Sequence, residues 1–170
     1  MDELRLRPIE AGDTDNILKW RNSPAVYNNL YTRDELTREQ HLDWLKTRVE
    51  TGLCRQYIIE VENLPVGTVF IKNIDRQSQK GEFGIFIGEK QARGKGYASV
   101  ATQKILETAF SELELNRVYL TVFADNIPGI KAYLKAGFLA EGILKQDFLR
   151  PDGFVDIVVM GITKRDWKDV

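Results

Sequence analysis

The chain has 170 residues, 43% hydrophobic and 29% charged, with a formal net charge of -1. That length fits a single domain, 1–170, with a core of ordinary size, and the balanced charge gives no global attraction to nucleic acid or an anionic membrane. The lone cysteine, Cys54, excludes an internal disulfide and a thiolate metal cluster, no apolar run reaches the roughly 18 residues needed to span a bilayer, and Met1-Asp2-Glu3 with Arg5 and Arg7 lacks a signal-peptide core, so a cytoplasmic protein without a metal is expected.

Leu4 to Ile9 alternates apolar and charged side chains, as a half-buried strand does. Asp13 and Thr14 offer caps for a helix through Ile17, Leu18 and Trp20, which ends at Asn22-Ser23-Pro24. Thr37 and Gln40 form a capping box for a second helix. Leu42, Leu45 and Val49 are its expected core stripe, with His41, Trp44 and Arg48 on an adjoining face. Aromatic residues at helical spacing commonly belong to a core, which is the plain reading of His41 and Trp44. The stretch between the helices, with Tyr27, Asn28, Asn29, Tyr31 and Arg33, has no clear period.

Gln56–Val61 and Val66–Ile71 read as strands joined at Glu62-Asn63-Leu64-Pro65. A fourth strand begins at Gly81. On it Phe83, Ile85 and Ile87 share one face, while Glu82, Gly84, Phe86 and Gly88 share the other, whose small residues suggest close approach to the backbone.

The loop Glu89 to Gly96 is rich in glycine and cations and leads into a long helix, which places Ala98, Ala101, Ile105, Ala109 and Leu113 on one stripe. Such a strand-loop-helix suits a phosphate, held by inward backbone N–H groups and the positive helix end. A Walker loop fails on spacing: one residue too many separates Gly88 from Gly94-Lys95, and Gly96 stands where a hydroxyl is required. A dinucleotide fingerprint is half met by Gly94, Gly96 and Ser99, with Asp125 lying beyond the usual spacing of about 20 residues. A plain glycine-rich turn capping a helix is also compatible with the loop alone.

Gln91, Gly94 and Gly96 also satisfy Q/R-x-x-G-x-G/A in full. A strand, Arg117–Phe123, then leads to Asp125-Asn126, a helical segment with Ala132 and Tyr133, and Gly137-Phe138; a hairpin follows around Pro151-Asp152-Gly153. These two signatures, in this order, resemble the GCN5-related N-acetyltransferases (GNAT). Trp20-Arg21-Asn22 and Glu39 to Trp44 further resemble the subgroup containing ribosomal-protein and amino-sugar-nucleotide N-acetyltransferases.

The resemblance implies an α/β (α+β) domain, a mixed, mostly antiparallel sheet with helices on both faces. It implies acetyl transfer from acetyl-CoA to a primary amine, either a small molecule or a protein N-terminus, by a monomer or homodimer. Acetyl-CoA would lie between strands four and five, against Phe86, Ile87, Gln91, Ala92, Arg93, Gly94, Lys95, Gly96, Tyr97, Ala98 and Asn126. The backbone around Phe86 would supply an N–H to the thioester carbonyl. Glu82 is the expected base, set against a solvated strand-end residue. Tyr133 is the expected proton donor to the leaving sulfur, set against a buried helix tyrosine. Arg21, Tyr27, Tyr31 and His41 are expected to meet the acceptor. An NAD-binding module and a non-catalytic acyl-CoA sensor are the alternatives from other classes.

Overall fold

The computed structural model describes residues 3–168, so the reading made at Met1 and Asp2 lies outside it. Strand β1 (Leu4–Pro8) is followed by helices α1 (Thr14–Arg21), α2 (Pro24–Tyr27) and α3 (Arg38–Trp44). Strands β2 (Arg55–Val61), β3 (Leu64–Asp75) and β4 (Lys80–Ile87) lead to α4 (Tyr97–Glu107). The chain then runs through β5 (Arg117–Phe123), α5 (Ile127–Lys135), β6 (Leu139–Arg150), β7 (Gly153–Thr163) and the short α6 (Lys164–Lys168). No described helix is long and apolar enough to cross a membrane.

The described strands form one sheet ordered β1-β2-β3-β4-β5-β7-β6, antiparallel throughout except for β4 beside β5. Local chemistry explains the tight connections. Glu62 and Asn63 both have positive φ, so two left-handed residues close the β2-β3 hairpin where a four-residue turn was expected. Pro151 and Asp152 join β6 to β7.

Each sheet face has its own core. On one, Ala101, Ile105 and Leu106 of α4, continued by Ala109 and Phe110 in the helical turn just past it, present the expected stripe to Val69, Ile71 and Phe83. On the other, Ile17 and Trp20 of α1 and Leu45, just past α3, pack on Ile58 with Trp44, Val49 and Phe86 alongside.

The core face of α3 differs from expectation. The capping box forms as read, with Thr37 Oγ1 accepting from the Gln40 N–H and Gln40 Oε1 from the Thr37 N–H, but Leu42 is 39% exposed and His41 only 3%. Successive helix residues lie about 100° apart, and His41 takes the interior position because its ring reaches a polar partner there, Thr14.

The parallel pairing positions the site. Strands β4 and β5 are in register only at Lys80↔Arg117, Gly81↔Val118 and Glu82↔Tyr119. Beyond them β4 follows β3 and β5 follows β7, so the strands part and a cleft opens between Ile85–Ile87 and Thr121–Val122.

Candidate active site

At the mouth of the cleft the loop brings the backbone to α4 through two left-handed glycines, Gly94 (φ +75) and Gly96 (φ +84), and Gly96 is the residue that caps the helix. A Cβ built on either meets nothing within 4 Å, so their backbone conformation and not crowding calls for glycine. Gln91, Arg93, Lys95 and both glycines are exposed around the turn, whereas Ala92 and Tyr97 are buried beneath it and Ala98 is half-buried.

Arg93 turns back onto the strand end, its Nε donating to Ile87 O at 3.0 Å and its Nη2 to Gly88 O at 2.6 Å. The β4 backbone can be oriented group by group. Gly88 N–H bonds Val66 O on β3, and Phe86 O also faces β3, since it would stand 2.4 Å from a Cβ on Gly67. Because pairing alternates along a strand, the Ile85 and Ile87 backbone groups face the cleft. This refines the expectation for Phe86, which contributes its side chain rather than its N–H.

A cavity of about 250 Å³ occupies the cleft, lined by Ile85, Phe86, Ile87, Arg93, Asn126 and Tyr133 with Leu30 over them. Asn126 caps α5 by accepting from the Gly129 N–H at 3.1 Å. That bond sets the start of the helix carrying Tyr133, whose ring meets Phe83 edge-on with centroids 5.7 Å apart. Burial, reinforced by Tyr31, pushes the Tyr133 phenol up to about 12, so it holds its proton at neutral pH.

A second cavity, about 380 Å³, lies under α1 and α3 and includes Arg21, Leu30, Tyr31, His41, Trp44, Phe70, Lys72 and Phe86 in its wall. Leu30 and Phe86 line both cavities. Arg21, Tyr31 and His41 are thus brought together as expected, whereas half-buried Tyr27 lines neither.

His41 Nδ1 lies 3.0 Å from Thr14 Oγ1, and the Thr14 hydroxyl donates to Ala11 O at 2.7 Å. The hydroxyl oxygen is therefore the acceptor, Nδ1 carries the ring proton and Nε2 has the lone pair. Burial, followed by Asp13 acting in the opposite sense and Arg38 in the same, leaves the imidazole pKa below its ordinary value. Nε2 is buried without a hydrogen-bond partner among the described residues, as is Arg21 Nη1. The other Arg21 nitrogen, Nη2, donates to Thr32 O at 2.5 Å.

Three expectations are corrected. Glu82 lies where β4 and β5 are still paired, lines neither cavity, and is held by Asn73 Nδ2 at 2.8 Å and Lys72 Nζ at 3.4 Å. The small β4 residues do admit close approach, but of the protein's own rings: a Cβ would stand 2.3 Å from Phe70 at Gly84 and 2.0 Å from Trp20 at Gly88. Asp125, the acidic residue of the half-met dinucleotide fingerprint, is paired with Arg150, and the largely antiparallel sheet removes the dinucleotide reading with it.

A domain model described as an acetyltransferase (GNAT) domain matches residues 3–139. The chain belongs to the GNAT acetyltransferase family. An L-amino acid N-acetyltransferase of Escherichia coli is 30% identical over 96% of this chain and 100% of its own length. A spermidine N(1)-acetyltransferase of the same species is 26% identical over 85% of this chain and 77% of its own. Among solved structures, spermidine N-acetyltransferase from Vibrio cholerae, in complex with CoA and spermine, shares the fold with a TM-score of 0.91 at 23% identity, covering 97% of this chain and 98% of that one.

As a GNAT enzyme the protein is an N-acetyltransferase that uses acetyl-CoA, and its residues fit that molecule. The cleft offers backbone groups along β4, the two glycines open the turn before α4, and Tyr133 brings a protonated hydroxyl to the same cavity. Sequence reasoning missed Leu30, Trp44, Gln56 and Phe70 as wall residues. Of these only Trp44 is signalled, by the segment Glu39 to Trp44, and its plain reading is a core aromatic.

Proposed function

We propose that the GNAT enzyme described here acetylates a primary amine by direct attack, the amine entering the cavity under α1 and α3 and the acetyl group the β4-β5 cleft. The observation that carries this reading is the shared wall: Leu30 and Phe86 belong to both cavities, so occupants of the two meet at one partition. Amines are also the common chemistry of the amino acid and spermidine acetyltransferases that the chain resembles. The segments that resemble ribosomal-protein and amino-sugar-nucleotide enzymes supply Arg21, His41 and Trp44 to the acceptor wall, so they set the choice of amine without naming it.

Acetyl-CoA supplies the activated acetyl group. An amine of pKa near 10.4 is protonated at neutral pH, so a base must act first. His41, neutral and with its lone pair on Nε2, fits that role better than Glu82, which is engaged by Lys72 and outlies both cavities. His41 takes one proton from the ammonium on Nε2, an uphill transfer because its pKa is lowered, and gives it up to water that enters the cavity once the products leave. Ile85 and Ile87 turn backbone N–H groups toward the cleft, where they would stabilise negative charge on the acetyl oxygen. As the C–N bond forms and the C–S bond breaks, the second amine proton reaches the sulfur through the Tyr133 hydroxyl. Relay suits this phenol better than net donation, since a thiolate whose conjugate acid has a pKa near 8.5 would take a proton from a phenol of about 12 only at a cost of roughly 5 kcal/mol.

The test is acetyl-CoA-dependent thiol release across a panel of amines, with the acetylated product identified by mass. Thiol release that requires an amine and yields its acetamide is the expected result. Hydrolysis alone, at a rate indifferent to every amine, would overturn the reading.

A further inference from the structure

We infer that the acceptor is an amine that carries its own carboxylate, of the amino acid class, with Arg21 as the residue that recognises the acid group. The inference rests on the amine-acetylation reading above and narrows it. Four observations on the acceptor cavity support it.

The first is the charge of the wall. Arg21 and Lys72 are its cations and it contains no Asp or Glu. Lys72 is already engaged by Glu82 just outside the wall, so a polyamine, with several positive charges, would meet the unpaired Arg21 and find no carboxylate in the wall itself to bind its ammonium groups. The second is the state of Arg21. Its Nη1 is buried without a hydrogen-bond partner, and the side chain makes no ion pair among the described residues. Asp34 is near enough to act on it electrostatically, but burial is the stronger influence on the guanidinium. A buried cationic donor left unmatched is costly, and a carboxylate is its geometric complement.

The third is His41, 3% exposed, whose unpartnered Nε2 has the opposite polarity. With its proton fixed on Nδ1 by Thr14, the ring presents an acceptor. Arg21 and His41 line the same cavity and each has one unmatched polar atom beneath its wall, so a zwitterion with a carboxylate and an ammonium is the occupant that both would draw in by small side-chain shifts. The fourth is the remaining surface, built from Ile17, Leu36, Trp44, Phe70 and Phe86, which suits an apolar or aromatic side chain. At about 380 Å³ the cavity lies near the small end of the range of about 300–1,000 Å³ for small-molecule sites, a size suited to a single amino acid.

The test compares three acceptors: L-phenylalanine, its carboxamide and spermidine. The acid and the amide share the amine and the ring, and the preference is read on the unaltered enzyme, so no variant need fold for the inference to be judged. The expected result is a kcat/KM for the acid about ten- to a hundredfold above the amide, the loss typical of an unmatched charged hydrogen bond, with spermidine the poorest. In Arg21→Gln the preference for acid over amide should collapse toward one through the acid's KM, while acetyl-CoA affinity, measured by calorimetry, stays within twofold. An amide or spermidine turned over as well as the acid would overturn the inference and leave amine acetylation intact. Silence across all three and the wider amine panel would remove the proposed function itself.

Discussion

His41 Nδ1 lies 3.0 Å from the Thr14 hydroxyl, whose own proton is committed to Ala11 O, so this one contact between α3 and the start of α1 fixes both the tautomer and the position of the ring. Its consequence for stability has a definite sign. The native pKa is lowered, chiefly by burial, so above the unfolded value of about 6.5 both states are neutral and the contribution is fully present. As pH falls through about 6.5 toward the lowered native value the unfolded chain binds the proton first and stability is lost, by at most about 1.4 kcal/mol per pH unit from this group. Melting temperature should therefore fall more steeply between about pH 7 and pH 5 in the wild type than in His41→Gln. Parallel profiles would mean that His41 is not held neutral by the fold.

Gly96→Val places a β-branched residue at φ +84 without any steric clash of its Cβ. The strain of a left-handed residue, about 1–2 kcal/mol, should be relieved by rearranging the turn before α4. We expect a folded enzyme with acetyl-CoA affinity down at least about tenfold, the equivalent of roughly 1.4 kcal/mol. Calorimetric titration with CoA and circular dichroism on the same sample check both halves. Unaltered affinity would detach the loop from cofactor binding.

Tyr133→Phe retains the ring contacts with Phe83 and Phe138 while deleting the hydroxyl. Turnover should drop by about 10²–10⁴-fold with CoA affinity preserved. Because the phenol titrates only near about 12, the wild-type rate should show no alkaline limb from this group below about pH 11. Rate–pH profiles of both enzymes, recorded where chemistry limits turnover, decide the matter.

Glu82→Gln removes one partner of Lys72 at the closed end of the strand fork. Exposed and half-exposed ion pairs contribute about 0–1 kcal/mol, so the variant should stay within a few-fold of wild type in rate across neutral pH. His41→Gln, by contrast, should be slowest at neutral pH and recover as pH approaches the amine's own pKa near 10.4, where no base is needed. The reverse pattern would restore Glu82 as the base.

What the sequence made legible was local. Glycine spacing, the Thr37–Gln40 cap, the α4 stripe and the alternation on β4 each depend on residues close together along the chain, and the strand-loop-helix with its two left-handed glycines follows from them. Contacts between distant residues were not legible. Nothing near Glu82 announces Lys72, nothing near Asp125 announces Arg150, and the small residues Gly84 and Gly88 look the same whether a ligand or the rings of Phe70 and Trp20 lie over them. The rotation of α3 that buries His41 and exposes Leu42 likewise depends on Thr14, 27 positions away.

The wall formed by Leu30 and Phe86 has a kinetic corollary. A chain that stored the acetyl group between half-reactions would need a nucleophile, yet the one cysteine, Cys54, lines neither cavity and has its thiol pushed up to about 12 by burial. On the direct-attack reading proposed above both substrates reside together before either product departs, so initial-rate lines at varied concentrations of the two should intersect, whereas parallel lines would mean that another side chain, such as His41, carries the acetyl group. Because Leu30 belongs to the connection between α2 and α3 and not to the sheet, the partition between the two cavities can be reshaped by substitutions in that connection without touching the strands that line the cleft.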